Sequence, residues 1–554
     1  MALPLIKMIR LDLSAVPLPA GVGALLNNHP LVRTAAGAVH LQERNEIHYD
    51  TPTLQLYRQE VALTLNRRGE QWVQRCGMAE GPGHEKKWVE TPVPDQQLDM
   101  RTLRKLPTCP ALNGADARTL APVFTLHCRE QQWVLSLPGG VSILLREERG
   151  YIKLGVSRQS FHELVFEHQA GHTGRWFQTA LTVAYTLFLS DKGLQEKAGA
   201  AEKGGPGLLS LTPATRGFAW LDPALLMPVP SATSSEGKGD GSAEEGVADL
   251  PLLKLNGEMT CQQAFVSLCA ALLQRMQLHQ STVLYGGKQS KLEGVRLLYQ
   301  MAGRLQILVE LYRDLLPREI VAEQEQEIAW LLKELLLVQE CQTLLRETLE
   351  PLIEQFATHS GLEELLLKGK NGLLLAIKRL EKSLASFRYT RLVLGMEQWI
   401  TGNQWEFLSD PAQREGLDMP VAQLVTDCLQ RYQAQLRKQG RQWPEMDLAT
   451  RSALRDEIDR MSHATDLFTE LFINKRLKQT GARSSFQESL GKVQAALHLL
   501  VHVQGCSRFL SRRVGKEDNA APSIQEWQEG RIQRALTLAT REWDLFSNKL
   551  SFWM

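Results

Sequence analysis

No stretch of this 554-residue chain runs for about 18 apolar residues without a charge, so the sequence holds no candidate membrane-spanning helix. Neither sign of charge is in surplus: 63 Lys+Arg stand against 62 Asp+Glu. That balance argues against a dedicated nucleic-acid binder and leaves room only for a local basic patch. Cysteine is sparse and unpatterned. None of Cys76, Cys109, Cys128, Cys261, Cys269, Cys341, Cys428 and Cys506 forms a CxxC pair, which reads as reduced thiols in a cytoplasmic protein. Met1 to Leu13 interrupts its apolar residues with Lys7, Arg10 and Asp12 and lacks a small-residue cleavage site, so no secretory leader is expected. Walker loops, a GxGxxG between strand and helix, GxSxG and HExxH are also missing. Gly204-Gly-Pro-Gly207 falls in linker-like sequence and is no phosphate loop.

What is present divides near residue 200. Before it, short alternating runs dominate. Val61, Leu63 and Leu65 share one face of a strand whose other face carries Ala62, Thr64 and Asn66. Trp133 to Leu137, Val141 to Leu145 and Glu163 to Glu167 read the same way, punctuated by Gly81-Pro-Gly83 and Pro138-Gly-Gly140. This predicts an antiparallel sheet or barrel over residues 1–200, closed by a helix from Gly174 to Leu189. Residues 201–249 read as a flexible linker, because Ser231 to Gly246 has no large apolar residue to offset its ordering entropy. From 250 to 554 the period is helical: Ile328, Leu331, Leu332 and Leu335 keep the i, i+3, i+4, i+7 spacing. Pro317, Pro351, Pro411 and Pro420 mark breaks, so a helical bundle is expected. The fold class is thus α+β: an N-terminal antiparallel β-barrel, then an all-α bundle.

His48-Tyr49-Asp50-Thr51-Pro52, the strand Val61 to Asn66 and Gly69-Glu-Gln-Trp72-Val-Gln-Arg75 resemble the CYTH superfamily of triphosphate tunnel enzymes. Pro122-Val-Phe124, Arg129 and Trp133 extend the resemblance, which ends near Lys197. Leu250 to Pro317 and Phe387-Arg388-Tyr389-Thr390-Arg391-Leu392 up to Trp399 resemble a CHAD domain, the conserved histidine α-helical domain. Their order is that of bacterial inorganic triphosphatases. The resemblance implies an eight-stranded tunnel in which inward Arg and Lys hold a triphosphate. Inward Glu would hold Mg²⁺ or Mn²⁺ through hard oxygen donors. The helical half would carry an arginine-rich face for polyphosphate.

The chemical motifs depart from that pattern. The family's opening Glu-x-Glu-x-Lys stands here as Met8-Ile-Arg10-Leu-Asp12, which puts a cation where the metal should bind. Its Arg-x-Arg is Thr64-Leu-Asn66, and its strand-ending Lys falls at Gly77. Arg75, Lys86, Arg129, Lys153 and Lys197 remain as tunnel residues able to touch an anion. Arg129 is read as either an anion ligand or half of a structural ion pair. Glu163 and Glu167 are residual metal ligands or carboxylates paired with Arg10 and its neighbours. His48 is read as a packing residue, and Asp50, Thr51 and Pro52 as a structural turn. In the helical half Arg304, Arg388, Arg391, Arg455 and Arg460 persist, as a weak anion patch or an ordinary solvated face. The run Arg508 to Arg513 is a separate basic cluster suited to a protein partner.

The expectation is a divergent CYTH/CHAD protein of the bacterial cytoplasm without triphosphatase activity. It would bind polyphosphate or another phosphate-rich anion, or act as a scaffold. No cofactor, no membrane and no dedicated nucleic acid are expected. The alternative is a working inorganic triphosphatase that uses Mg²⁺ or Mn²⁺. Adenylate cyclase, known in the wider superfamily, needs the same missing acidic motif.

Overall fold

The computed structural model describes residues 8–14, 16, 22–23, 40–79, 86–105, 119–137, 139–189, 207–222, 225, 255–356, 360–402, 409–441, 443, 445–472, 477–513, 521–547, 549 and 553. The chain is α+β, as expected: an antiparallel sheet followed by helices. The strands are β1 (Met8–Asp12), β2 (His40–Asp50), β3 (Val61–Arg68), β4 (Gln71–Ala79), β5 (Lys86–Val93), β6 (Ala121–Leu137), β7 (Val141–Leu154), β8 (Ser157–Ala170) and β9 (Gly207–Leu209). Short helices α1 (Gln55–Arg58) and α2 (Met100–Leu103) lie between strands, and α3 (Thr173–Leu189) and α4 (Pro213–Leu221) follow β8 and β9. The later helices are α5 (Cys261–Tyr285), α6 (Lys288–Leu311), α7 (Arg318–Leu344), α8 (Glu350–Gln355), α9 (Ser360–Leu384), α10 (Phe387–Gly402), α11 (Pro411–Asp418), α12 (Val421–Gly440), α13 (Leu448–Phe468), α14 (Leu477–Arg513) and α15 (Ala521–Ser547).

The sheet order is β5-β4-β3-β2-β6-β7-β8-β1-β9, nine strands. It has one strand more than the expected eight, and among the described residues no ladder joins β5 to β9, so the sheet is not closed by hydrogen bonds. The extra strand comes from sequence expected to be linker. Leu208, Leu209 and Leu211 supply the apolar side chains, and Leu209 pairs with Arg10 of β1. Thr212 then caps α4, its hydroxyl accepting from the Thr215 N–H, with Pro213 at the first helical position. Residues 231–246, the Ser/Gly/Glu stretch expected to be a tether, lie outside the described residues.

The chain forms two compact units that interleave along the sequence. The first comprises Met1–Val229, Gln277–Gly294 and Lys382–Gly402; the second comprises Pro230–Met276, Val295–Glu381 and Asn403–Met554. In the first, α3 buries Trp176, Phe177, Ala180, Val183, Ala184 and Leu187. Helix α10 lies along it, with Gly174 so close to Gly402 that a Cβ on Gly174 would overlap the Gly402 backbone. The Gln280 amide donates to the carbonyls of Leu208 and Leu384, tying β9 to the helices. In the second unit Phe265 packs on Tyr312, whose hydroxyl donates to the Cys261 carbonyl. Ala496, Leu500, Ala535 and Ala539 zip α14 to α15. None of the described helices is long and apolar enough to cross a membrane. Cys76, buried on β4, is disulfide-bonded rather than reduced, whereas Cys128, Cys261, Cys269, Cys341, Cys428 and Cys506 are free. Spacing alone could not reveal which thiols folding joins.

Glu397 on α10 is a buried carboxyl whose Oε1 has no hydrogen-bond partner. Burial alone pushes it up to about 8. The folded chain therefore holds a proton that the unfolded chain releases above its ordinary value near 4.5. Stability must then fall as pH rises from there toward 8. Glu397→Gln, which mimics the protonated form, should melt higher than the parent at pH 8 and no higher at pH 5. An equal difference at both pH values, read by thermal unfolding, would contradict this.

Candidate functional site

Strand alternation gathers the candidate site on one face of the sheet. Arg44, Glu46 and His48 share a face of β2, Glu130 lies beside them on β6, and Arg146 and Glu148 follow on β7. Glu163 and Glu167 on β8, Arg10 on β1, and Arg75 and Glu90 on β4 and β5 complete it. Gly150 allows β6 and β7 to approach at the centre: a Cβ there would overlap the His127 carbonyl oxygen.

The centre is an ion-pair network. The Arg10 guanidinium donates to Glu148 at 2.7 Å and to Glu163, with all three side chains buried. Arg216, reaching in from α4, takes the other oxygen of Glu163. Arg44 bonds Glu130 at 2.9 Å and lies 3.6 Å from Glu148 and 3.8 Å from Glu46. Arg146 holds Glu167 at 3.1 Å and Arg75 holds Glu90 at 2.9 Å. The expected pairing of Arg10 with Glu163 is present, whereas Glu167 pairs with Arg146. Burial alone would raise the carboxyl pKa of Glu148, but Arg10, Arg44 and Arg146 overcome it and leave the group below the usual range. Glu46 is likewise lowered against its burial, by His48, Arg44 and Arg75. Burial, helped by Glu148, pushes the Cys128 thiol up to about 12, so it is no nucleophile.

Helix α4 covers one end of this face. Phe218 stacks on Tyr57 at 4.3 Å and meets Phe124 edge-on at 5.0 Å. His48 stacks on Phe124 at 4.4 Å and is a packing residue, as the sequence suggested. Asp50 accepts from the backbone N–H groups of Thr51, Leu56 and Tyr57, so it organises the turn into α1.

The other sequence-derived residues scatter. Arg129 and Lys153 lie on the opposite face of β6 and β7 and are exposed, because their parity along the strands differs from that of Glu130 and Glu148. Lys197 and the side chain of Lys86 lie outside the described residues, as do the side chains of Arg508, Arg512 and Arg513. Arg388 and Arg391 belong to the first compact unit, and Arg304, Arg455 and Arg460 to the second. The latter three pair with acids: Arg304 with Asp466 at 3.0 Å, Arg455 with Asp456 at 2.8 Å and Arg460 with Glu457 at 2.6 Å. Sequence reasoning missed Arg44, Glu46, Glu130, Arg146, Glu148 and Arg216. The alternation Arg44-x-Glu46-x-His48 and the pair Arg146-x-Glu148 carried a strand signal for five of them once register joins Glu130 to Glu148.

A divalent cation does not fit here. It needs oxygen donors not already committed, and Glu130, Glu148, Glu163 and Glu167 are each bonded to a guanidinium, while Glu46 lies 3.4 Å from His48 and 3.8 Å from Arg44. Among the described residues no group of three or more His, Cys, Asp or Glu side chains is arranged to hold a metal. Glu163 and Glu167 are therefore ion-pair residues here.

Comparison with known proteins places the helical half. Residues 267–504 match the CHAD domain. The chain is also similar to the CHAD domain of the plant Ricinus communis, at 20% identity over 54% of this chain and 95% of that one, with a TM-score of 0.42. A proposed adenylyl cyclase from Hippeastrum with a dominant triphosphatase activity matches at 16% identity over 34% of this chain and 87% of its own, TM-score 0.21. A proposed adenylate cyclase from Bacillus halodurans matches at 14% over 35% and 97%, TM-score 0.22. No curated protein sequence matches the chain. The CHAD match begins within α5 and ends within α14, so it draws on both compact units.

Removing one member of a buried ion pair strands the other charge and costs about 3–5 kcal/mol. Arg10→Ala should lower stability by that order, while Arg68→Ala, which breaks the exposed pair with Glu90, should cost about 0–1 kcal/mol. Urea unfolding of both variants checks this, and equal effects would contradict the network.

Proposed function

We propose that this chain is a divergent CYTH/CHAD protein without triphosphatase activity, acting as a phosphate-anion binding or scaffolding protein in the bacterial cytoplasm. Polyphosphate is the ligand class that the CHAD match suggests. The observation that carries the reading is Arg10 seated between Glu148 and Glu163. A tunnel enzyme needs carboxylates free for metal and cations free for phosphate. Here each cancels the other. A phosphate entering this face would have to displace buried, hydrogen-bonded carboxylates and leave them unpaired.

Arginines that pair at the surface are better suited to an anion. Arg455 is partly exposed and pairs with the exposed Asp456, a surface pair weak enough to exchange its carboxylate for phosphate, while Arg460, also partly exposed, lies beside it on the buried Glu457. Guanidinium groups bind phosphate through paired N–H donors.

One observation favours the second reading, a metal-dependent inorganic triphosphatase that hydrolyses tripolyphosphate to diphosphate and phosphate. Glu46, Glu130, Glu148 and Glu163 converge on one face, a carboxylate density that a divalent metal could use if the arginines moved away. Phosphate release separates the two readings. With tripolyphosphate and either Mg²⁺ or Mn²⁺, malachite green should register no release above a protein-free blank. Turnover that Glu148→Gln abolishes would overturn the non-catalytic reading.

A further inference from the structure

The opposite face of the same sheet holds an arrangement that folding alone does not explain. Arg129 of β6 stands directly across from Arg149 of β7, and Lys153 of β7 directly across from Arg158 of β8. Like charges placed opposite one another destabilise a sheet. All four residues are exposed. Between the two like-charged pairs lies His127 opposite Tyr151, their rings stacked 4.5 Å apart, with the Arg158 guanidinium 3.5 Å from the Tyr151 ring. The fields of Arg158 and Lys153 add to burial in lowering the His127 pKa.

The acids on this face do not balance it. Glu43 flanks Arg129 on β2, and Glu147 is shared by Arg149 and His162. Arg67, exposed on β3 across from Asn45 of β2, adds a further cation to the middle row. Among the described residues of this face, five cations therefore stand against two carboxylates.

We infer that this outer strip of β6, β7 and β8 is a binding site for linear inorganic polyphosphate, with Arg129, Lys153 and Arg158 as its principal ligands. The inference rests on the phosphate-anion reading above and gives it a place: outside the sheet, not within it. The two like-charged pairs lie four residues apart along β7, about 13 Å, so a single small anion cannot bridge them and an extended one can. An extended polyanion would relieve both repulsions at once. Nucleic acid fits less well, because binding of single strands relies on open aromatic faces, and Tyr151 already carries His127 and Arg158.

The test is calorimetric titration of the full chain with long-chain sodium polyphosphate at fixed ionic strength. Two double variants are compared with the parent: Arg129→Gln with Lys153→Gln, and Arg455→Gln with Arg460→Gln. The outer-strip variant should bind at least ten-fold more weakly while melting no lower than the parent in the absence of polyphosphate, since it loses repulsion. The polyphosphate-induced rise in melting temperature should shrink with it. If the outer-strip variant binds within two-fold of the parent while the helical variant loses binding, this site is refuted and the phosphate-anion reading stands. If the parent does not bind polyphosphate, both fall. If a single-stranded oligonucleotide of equal charge binds as tightly and with the same sensitivity to the outer-strip variant, the assignment to polyphosphate is overturned.

Discussion

A guanidinium group cannot be taken out of water without a counter-charge, and the interior of the N-terminal sheet is organised around that constraint at Arg10. Its two partners come from different strands, Glu148 from β7 and Glu163 from β8. Each partner is shared in turn: Glu148 lies near Arg44 and Arg146, and Glu163 is held by Arg216. The pairs are therefore not separable contributions. Removing any central member leaves a buried charge on a neighbour, so the network stands or fails as a unit. It also fixes register, because a one-residue slip of β1 or β8 would turn Arg10 or Glu163 to the opposite face.

That constraint has a functional consequence. An enzyme that cleaves phosphoanhydrides with a metal needs uncompensated charge of both signs held apart until metal and substrate arrive. This sheet has let the charges meet. Arg216 completes the compensation from α4, a segment seated on the sheet by Phe218 against Tyr57 and Phe124. The uncompensated charge lies instead on the outer face of the same strands, where solvent carries the cost of leaving it unpaired.

Much of this was legible in residue order. Alternation gave the antiparallel sheet, helical periodicity gave the bundle, and the substitution of Arg10 for a carboxylate forecast the ion pair with Glu163. Three things were not legible. Residues 207–222 looked like linker because a three-residue strand and a nine-residue helix carry too few apolar residues to stand out beside glycine and proline; their order comes from the sheet they cover. Arg129 and Lys153 were placed on the inner face because a family position was carried over without the parity of its own strand, and parity is set by register with neighbouring strands. Glu130 and Glu148 were missed for the converse reason: each is unremarkable alone, and only pairing β6 with β7 sets them side by side. The interleaving of the two compact units through α5, α6, α9 and α10 has no local signature, since it depends on contacts between segments far apart in sequence.

The central claim is that arginine side chains, not a metal, satisfy the inward carboxylates of the sheet. Titration calorimetry of the full chain with Mn²⁺ tests it most directly. The account predicts no binding in the micromolar range. A one-site micromolar isotherm that Glu163→Ala abolishes would contradict it.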